Sequence, residues 1–244
     1  MKDIYKQVEK NIDNLVDGGV HFSIPVTHEQ IEEYKITREG DAMPPSEWLP
    51  KNIAGMKVLL LAGAGGQQAP MIAAIGADVT VIDLSDKMLE QDRIVAEREN
   101  LKINIEKGNM CDLSRFSDGY FDIIVNPPSL FYVPDVIPVF KECHRVLKDG
   151  GIFMTSLPNP INYMCNYDEE KNIYTVCNPL PFISHEHDEG CAEAGWVEYG
   201  HTWDSYIGGQ LRCGFVITDC IEGYDADDPC DSWLHTRAIK HKFV

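Results

Sequence analysis

From Lys57 onward, short apolar runs alternate with amphipathic stretches. Val58-Leu59-Leu60-Leu61 is too short and too evenly apolar for a surface helix, and has the pattern of a strand buried on both faces. The alternation continues regularly. It predicts strands at 57–62, 79–83, 102–106, 121–125 and 152–157, with helices over roughly 67–75, 86–98 and 135–147. Ser85 is placed to cap the second helix, with Asp86 in its first turn. Lys148-Asp149-Gly150-Gly151 marks the end of the third. Strands alternating with helices in this way imply an α/β fold around a parallel, doubly wound sheet.

Two stretches break the rhythm. Residues 1 to about 50 are polar with an amphipathic spacing of Ile4, Val8, Ile12 and Leu15. They end in Met43-Pro44-Pro45-Ser46-Glu47-Trp48-Leu49-Pro50, where the prolines forbid a continuous helix. A helical arm or lid is expected. Residues 158 to about 203 are irregular and rich in Asn, Pro, Tyr, His and Cys, as expected of an inserted functional loop. The chain then returns to order with a short helix near 204–213, a strand at 214–221, an acidic loop at 225–228 and a closing strand at 233–242.

Composition narrows the chemistry. A chain of 244 residues, 44% hydrophobic, can bury one large core. A formal charge of −18 argues against nucleic acid as a partner, because that affinity comes from Lys and Arg neutralising phosphates. A small-molecule substrate is expected instead. The eight cysteines are scattered without a C-x-x-C pair. There is no secretory leader and no bilayer-length apolar run, so a cytoplasmic protein without a membrane partner is expected. No segment dictates an oligomeric state.

The first strand runs into Ala62-Gly63-Ala64-Gly65-Gly66-Gln67-Gln68, and the second ends at Asp83. Glycines let backbone approach a ligand closely, and a carboxylate at the tip of a second strand can accept two hydrogen bonds from ribose hydroxyls. Gln67 and Gln68 open a helix whose free N–H groups favour a carboxylate. These features make a nucleotide site. A dinucleotide G-x-G-x-x-G is incomplete, since Gln68 stands at the third position.

Three further blocks complete a pattern: Lys107-Gly108-Asn109-Met110-Cys111-Asp112, then Asp118-Gly119-Tyr120-Phe121-Asp122-Ile123-Ile124-Val125, then His144-Arg145-Val146-Leu147-Lys148-Asp149-Gly150-Gly151. Together with the glycine loop they resemble the class I S-adenosylmethionine-dependent methyltransferases over roughly residues 57–157. Ala69-Pro70, Asn159-Pro160 and Ile207-Gly208-Gly209-Gln210-Leu211-Arg212-Cys213-Gly214-Phe215 extend the resemblance to a group of small bacterial methyltransferases. It implies a Rossmann-like, seven-stranded sheet, mostly parallel with an antiparallel last strand. That domain would span 51–244, with a substrate-side insertion at about 158–203 and the arm at 1–50 in front of it.

S-adenosylmethionine is the implied cofactor. By the resemblance, Ala62, Gly63, Gly65 and Gln68 border its methionine part and Asp83 its ribose. Leu84 and Met88 would sandwich the adenine, with Asn109 and Met110 on its edge and Asn126 beside the transferred methyl. The chain departs from the family where Ala62 and Ala64 replace glycine, which suits Ala62 if its φ is negative. Leu60 stands where an acidic residue is usual, leaving the methionyl amine to backbone carbonyls or another side chain.

The acceptor is not specified. Asn126-Pro127-Pro128-Ser129 resembles the [DN]-P-P-[YFW] turn of amino-group methyltransferases acting on nucleobases or glutamine amides, with Ser129 in place of the stacking ring. Tyr163 and His201 are candidate substrate contacts or bases, whereas Glu198, Asp204 and the acidic loop fit a solvated surface. His185, His187 and Cys191, with Cys165 and Cys177, match no closed zinc spacing, and no metal is expected. A cofactor-binding protein without turnover and a nicotinamide oxidoreductase are the alternative readings.

Overall fold

The computed structural model describes residues 2–40, 43–168, 170–187, 195–224 and 232–241. The central sheet is built around β1 (Lys57–Leu61), whose Val58, Leu59, Leu60 and Leu61 are all fully buried. Leu60 faces a cluster with Val79, Val81 and Ile72, and Leu59 faces one with Ile124, Phe140 and Phe153. Both faces of the strand are therefore covered, which explains its uninterrupted apolar run.

Around it lie β2 (Asp78–Asp83), β3 (Ile103–Lys107), β4 (Phe121–Asn126) and β5 (Leu147–Pro158). The long final pair is β10 (Phe215–Tyr224) and β11 (Ser232–Lys240). The seven strands run in the order β10-β11-β5-β4-β1-β2-β3. Strands β1 to β5 pair in parallel, and β11 is antiparallel to both neighbours. The antiparallel last strand is thus inside the sheet, with β10 at its edge. Strand order reverses between β1 and β4, and ligands of such sheets sit at the carboxyl ends of the strands beside that switch.

Helices α3 (Gln68–Ala74), α4 (Asp86–Arg98) and α5 (Ile137–Val146) link these strands. Ser85 caps α4 as expected, its Oγ accepting from Met88 N at 3.1 Å. The expected helix near 204–213 is a π-helical turn at Asp204–Gly208 followed by Gly209–Arg212. A Cβ on Gly209 would come within 2.9 Å of the Ile137 side chain on α5 and 3.2 Å of the Phe140 ring, so glycine permits the close approach of the two helices. β5 begins five residues before the expected 152, and a register shift beside Phe121 accommodates the extra chain.

The first 50 residues form α1 (Lys2–Asp17), α2 (His28–Thr37) and short turns. Thr27 and Gln30 make a reciprocal capping box at the start of α2. Val8 and Ile12 of α1 pack with Met88, Val197 and Tyr199. The proline-rich stretch packs against β10 and β11, where Trp48 Nε1 donates to Asp219 Oδ2 at 2.9 Å and Arg237 Nε donates to Trp48 O at 3.1 Å. Between residues 158 and 203 two small hairpins form, β6 (Cys165–Asp168) with β7 (Ile173–Val176) and β8 (Phe182–Ile183) with β9 (Tyr199–Gly200).

Thr236 on β11 is fully buried and donates to Gln210 Oε1 at 3.1 Å, while Gln210 Nε2 donates to Tyr206 O at 3.3 Å. Thr236→Val keeps the shape but strands the Gln210 carbonyl. Urea unfolding should show a loss of about 1–3 kcal/mol with an unchanged denaturant slope.

Candidate functional site

A cavity of about 850 Å³ opens at the carboxyl ends of β1, β2, β4 and β5. Ala62, Ala64, Gln68, Asp83, Leu84, Met88, Met110 and Asn126 line it, as does Tyr163. The structure therefore brings most of the sequence-predicted residues to one space. Gly63, Gly65, Asn109 and His201 are not part of its wall.

The turn after β1 carries the geometry. Ala62 and Ala64 have φ of +53° and +54°, with Gly65 at +38° and Gly66 at +77°. A negative φ was the condition for Ala62, and the structure reverses it. Both alanines sit in the left-handed region, which costs an L-residue about 1–2 kcal/mol each. Gly65 serves packing instead of lining the cavity, because a Cβ there would meet Gln91 Oε1 at 2.4 Å and Met88 Sδ at 2.6 Å. A Cβ on Gly63 would press Val81 at 3.2 Å, so that residue also faces the sheet. Gly66 N donates to Asp92 Oδ1 at 2.8 Å. Burial pushes the Asp92 carboxyl up to about 8, so it holds the turn largely as a neutral acid at pH 7.

Asp83 ends β2 and is buried, its Oδ1 accepting from Ser85 N at 2.8 Å. Desolvation raises its carboxyl to about 6, with Asp13 of α1 adding to the effect. Ser85 Oγ donates to Asp13 Oδ1 at 2.5 Å, and Lys107 Nζ reaches Glu9 Oε1 at 2.6 Å. Val8, Ile12 and Leu15 of α1 complete the wall over this end of the cavity. Asn109 turns its Oδ1 back to Cys111 N at 2.8 Å and caps its own loop.

Asn126 is fully engaged. Its Nδ2 donates to Leu61 O at 3.2 Å and Ser129 Oγ at 2.7 Å, and its Oδ1 accepts from Thr155 Oγ1 at 3.0 Å. Ser129 Oγ in turn donates to Pro127 O at 3.1 Å. The Asn-Pro-Pro-Ser turn is locked on itself, with both amide hydrogens and one lone pair of the amide oxygen engaged inside the protein.

Beyond Asn126 the cavity widens into a chamber walled by Phe131, Tyr132, Tyr163, Trp196 and Trp233. Glu198 is in this wall, contrary to the solvated position expected for it. Trp196 Nε1 donates to its Oε1 at 2.9 Å and Tyr163 O–H to its Oε2 at 3.4 Å. Burial raises the Glu198 carboxyl, and burial together with Glu198 lifts the Tyr163 phenol well above its usual value. Tyr163 is therefore a neutral phenol that donates a hydrogen bond here, and not a base. His235 also lines the chamber, its Nδ1 2.7 Å from Ser156 Oγ, and burial lowers its pKa. No pattern around Glu198 or His235 distinguishes them in sequence; His235 is placed by pairing with Ser156 on β5, and Glu198 by hydrogen bonds of its backbone with Ser184.

His201 is a correction. Its Nε2 lies 3.0 Å from Val133 O, where only an N–H donor fits, and it packs against the Tyr206 ring at 5.2 Å. It braces the fold and offers the cavity no base. The side chains of His185 and His187, with Cys191 and the acidic loop, fall outside the described residues. Among the described residues no helix is long and apolar enough to cross a membrane.

A family model described as a methyltransferase domain matches residues 60–155. An uncharacterized methyltransferase, YbaJ of Bacillus subtilis (strain 168), is 37% identical over 93% of this chain and 95% of its own length. A ubiquinone biosynthesis O-methyltransferase of Xanthomonas oryzae is 30% identical over 43% of this chain and 45% of that protein. Among solved structures, an S-adenosylmethionine-dependent methyltransferase from Mesorhizobium loti superposes with a TM-score of 0.66 at 23% identity, covering 79% of this chain and 94% of that one.

The turn after β1 yields two expectations. Ala64→Gly should relieve the positive φ and raise stability by about 1 kcal/mol. Asp92 has its folded-state pKa raised above the unfolded value of 3.8, so it weakens the fold progressively as pH rises from about 4 to 8. Asp92→Asn keeps an acceptor for Gly66 N and removes that penalty. Its melting temperature should exceed that of the parent at pH 8, by several degrees, and converge with it near pH 4.

Proposed function

The chain belongs to the class I S-adenosylmethionine-dependent methyltransferases, and we propose that it methylates a small organic acceptor held in the chamber beyond Asn126. The observation carrying this reading is the continuity of one cavity from Asp83 and the turn after β1 to the aromatic walls at Tyr132, Tyr163 and Trp196. The buried Asp83 carboxyl, lined up beside Leu84 and Met88, suits a ribose diol and an adenine. Leu60 is fully buried in the core, so it gives no carboxylate to a methionyl amine. Gln68 is the polar side chain nearest that role on α3.

The cofactor supplies an electrophilic methyl group on a sulfonium. The protein's share is alignment and exclusion of water, which alone can lower such a barrier substantially. Asn126 fixes where the turn after β4 stands, α1 covers the adenosyl end, and the aromatic chamber holds the nucleophile. An amino-group reaction on the Asn-Pro-Pro turn finds less support, since Asn126 is buried and Ser129 stands where the stacking ring would be.

Thermal shift is the direct test. S-adenosylmethionine and S-adenosylhomocysteine at about a hundred times Kd should each stabilise the protein by roughly 2.7 kcal/mol, or about 5–10 °C, and NAD should not. Asp83→Ala should weaken binding of both about tenfold to a few hundredfold. A shift with NAD alone would overturn the reading. Because the Asp83 carboxyl must be ionised to accept two hydroxyls, S-adenosylhomocysteine affinity should fall as pH drops below about 6. Calorimetric titration between pH 5 and 8 checks this, and a flat profile would remove Asp83 from the ribose.

A further inference from the structure

The chamber carries an unusual electrostatic arrangement. Glu198 is partly withdrawn from solvent, and its carboxylate oxygens are met by the Trp196 indole and the Tyr163 phenol. Among the described side chains no lysine, arginine or histidine pairs with it, and no lysine or arginine lines the cavity at all. A desolvated carboxylate without a counter-ion costs several kcal/mol unless it takes up a proton or receives a cation. Tyr132 and Trp196 stand nearly perpendicular, with ring centroids 6.2 Å apart and an interplanar angle of 77°. Trp196 meets the carboxylate with its N–H edge, and both rings line the same cavity as Glu198, so an aromatic wall and a carboxylate border one space, a combination that attracts an organic cation. An anionic acceptor, by contrast, would meet Glu198 with nothing to offset the repulsion.

We propose that the methyl acceptor is an organic amine, held as its ammonium form by Glu198 within the ring walls of Tyr132, Tyr163 and Trp196. The proposal rests on the methyl-transfer reading above and names its substrate class. Glu198 then has two tasks. It is the counter-ion on binding, and it accepts the N–H proton that must leave before nitrogen can react. Its raised pKa fits the second task, because a carboxylate in this setting holds a proton more readily than one in water. The balance is simple. The ammonium proton passes to Glu198, and the freed nitrogen lone pair forms the new N–C bond. The C–S bond breaks with its electron pair left on sulfur. The product keeps one positive charge as a methylated ammonium, and Glu198 later returns its proton to water.

The test compares charge at constant shape, on the protein saturated with S-adenosylhomocysteine. The probes are benzylamine against benzyl alcohol, and choline against 3,3-dimethylbutan-1-ol, each titrated by calorimetry and by tryptophan fluorescence. In each pair the cation should bind about tenfold or more tightly than its neutral partner. Glu198→Gln should erase that preference while S-adenosylhomocysteine still binds. Equal affinity within both pairs in the unaltered protein would overturn the amine assignment, whatever the variant does. A preference that survives Glu198→Gln would overturn the role of Glu198. Failure of S-adenosylhomocysteine itself to bind would instead refute the methyl-transfer reading.

Discussion

The whole arrangement hangs on the side-chain amide of Asn126. It lies where the strand order reverses, at the end of β4, and reaches Leu61 at the end of β1 and Thr155 on β5. The Leu61 carbonyl can only accept, so the amide nitrogen must face it and the oxygen must face Thr155. One planar group thereby joins three strand ends where parallel strands would otherwise diverge into loops. The turn after β1 and the aromatic turn at Leu130–Tyr132 keep their separation because both are fastened to this point. A methyl donor and an acceptor have to be aligned to within about half an ångström, and a buried, fully satisfied amide supplies that rigidity.

Rigidity of the floor contrasts with strain in the turn above it. Two alanines hold backbone that glycine would adopt freely, and the Gly66 N–H is received by a buried acid, Asp92, whose burial raises its pKa. Both features cost stability, and both sit at the turn that borders the cavity. Strained backbone and uncompensated burial at one place are typical of sites shaped for a ligand at some expense to the fold.

Much of this was legible in the chain. The parallel core strands announce themselves as short apolar runs because each is covered on both faces. Asp83 stands out because a carboxylate ends such a run. The turn could be located from its glycines, but its dihedral angles could not, since alanine gives no sign of a positive φ. The 158–203 segment hid its hairpins because their strands are short and Ile173 and Val176 remain exposed, so no alternation marks them. Glu198 looked like surface because its burial depends on Tyr163 and Tyr132, distant in sequence. His201 looked like chemistry because a histidine does not reveal that a carbonyl will claim it.

The inner position of β11 has a consequence for how this molecule comes into being. The chamber's Trp233 and His235 lie on a strand that must slot between β5 and β10, while the Asp83 end of the same cavity is walled by Val8, Ile12 and Leu15 of α1. During synthesis the strands that carry Ala62, Asp83 and Asn126 emerge first and can pair locally. The aromatic chamber is incomplete at that stage, because β5 still has an open edge and β10 has no neighbour on either side. The cavity thus gains its wall at Trp233 and His235 only after β11 has entered the sheet.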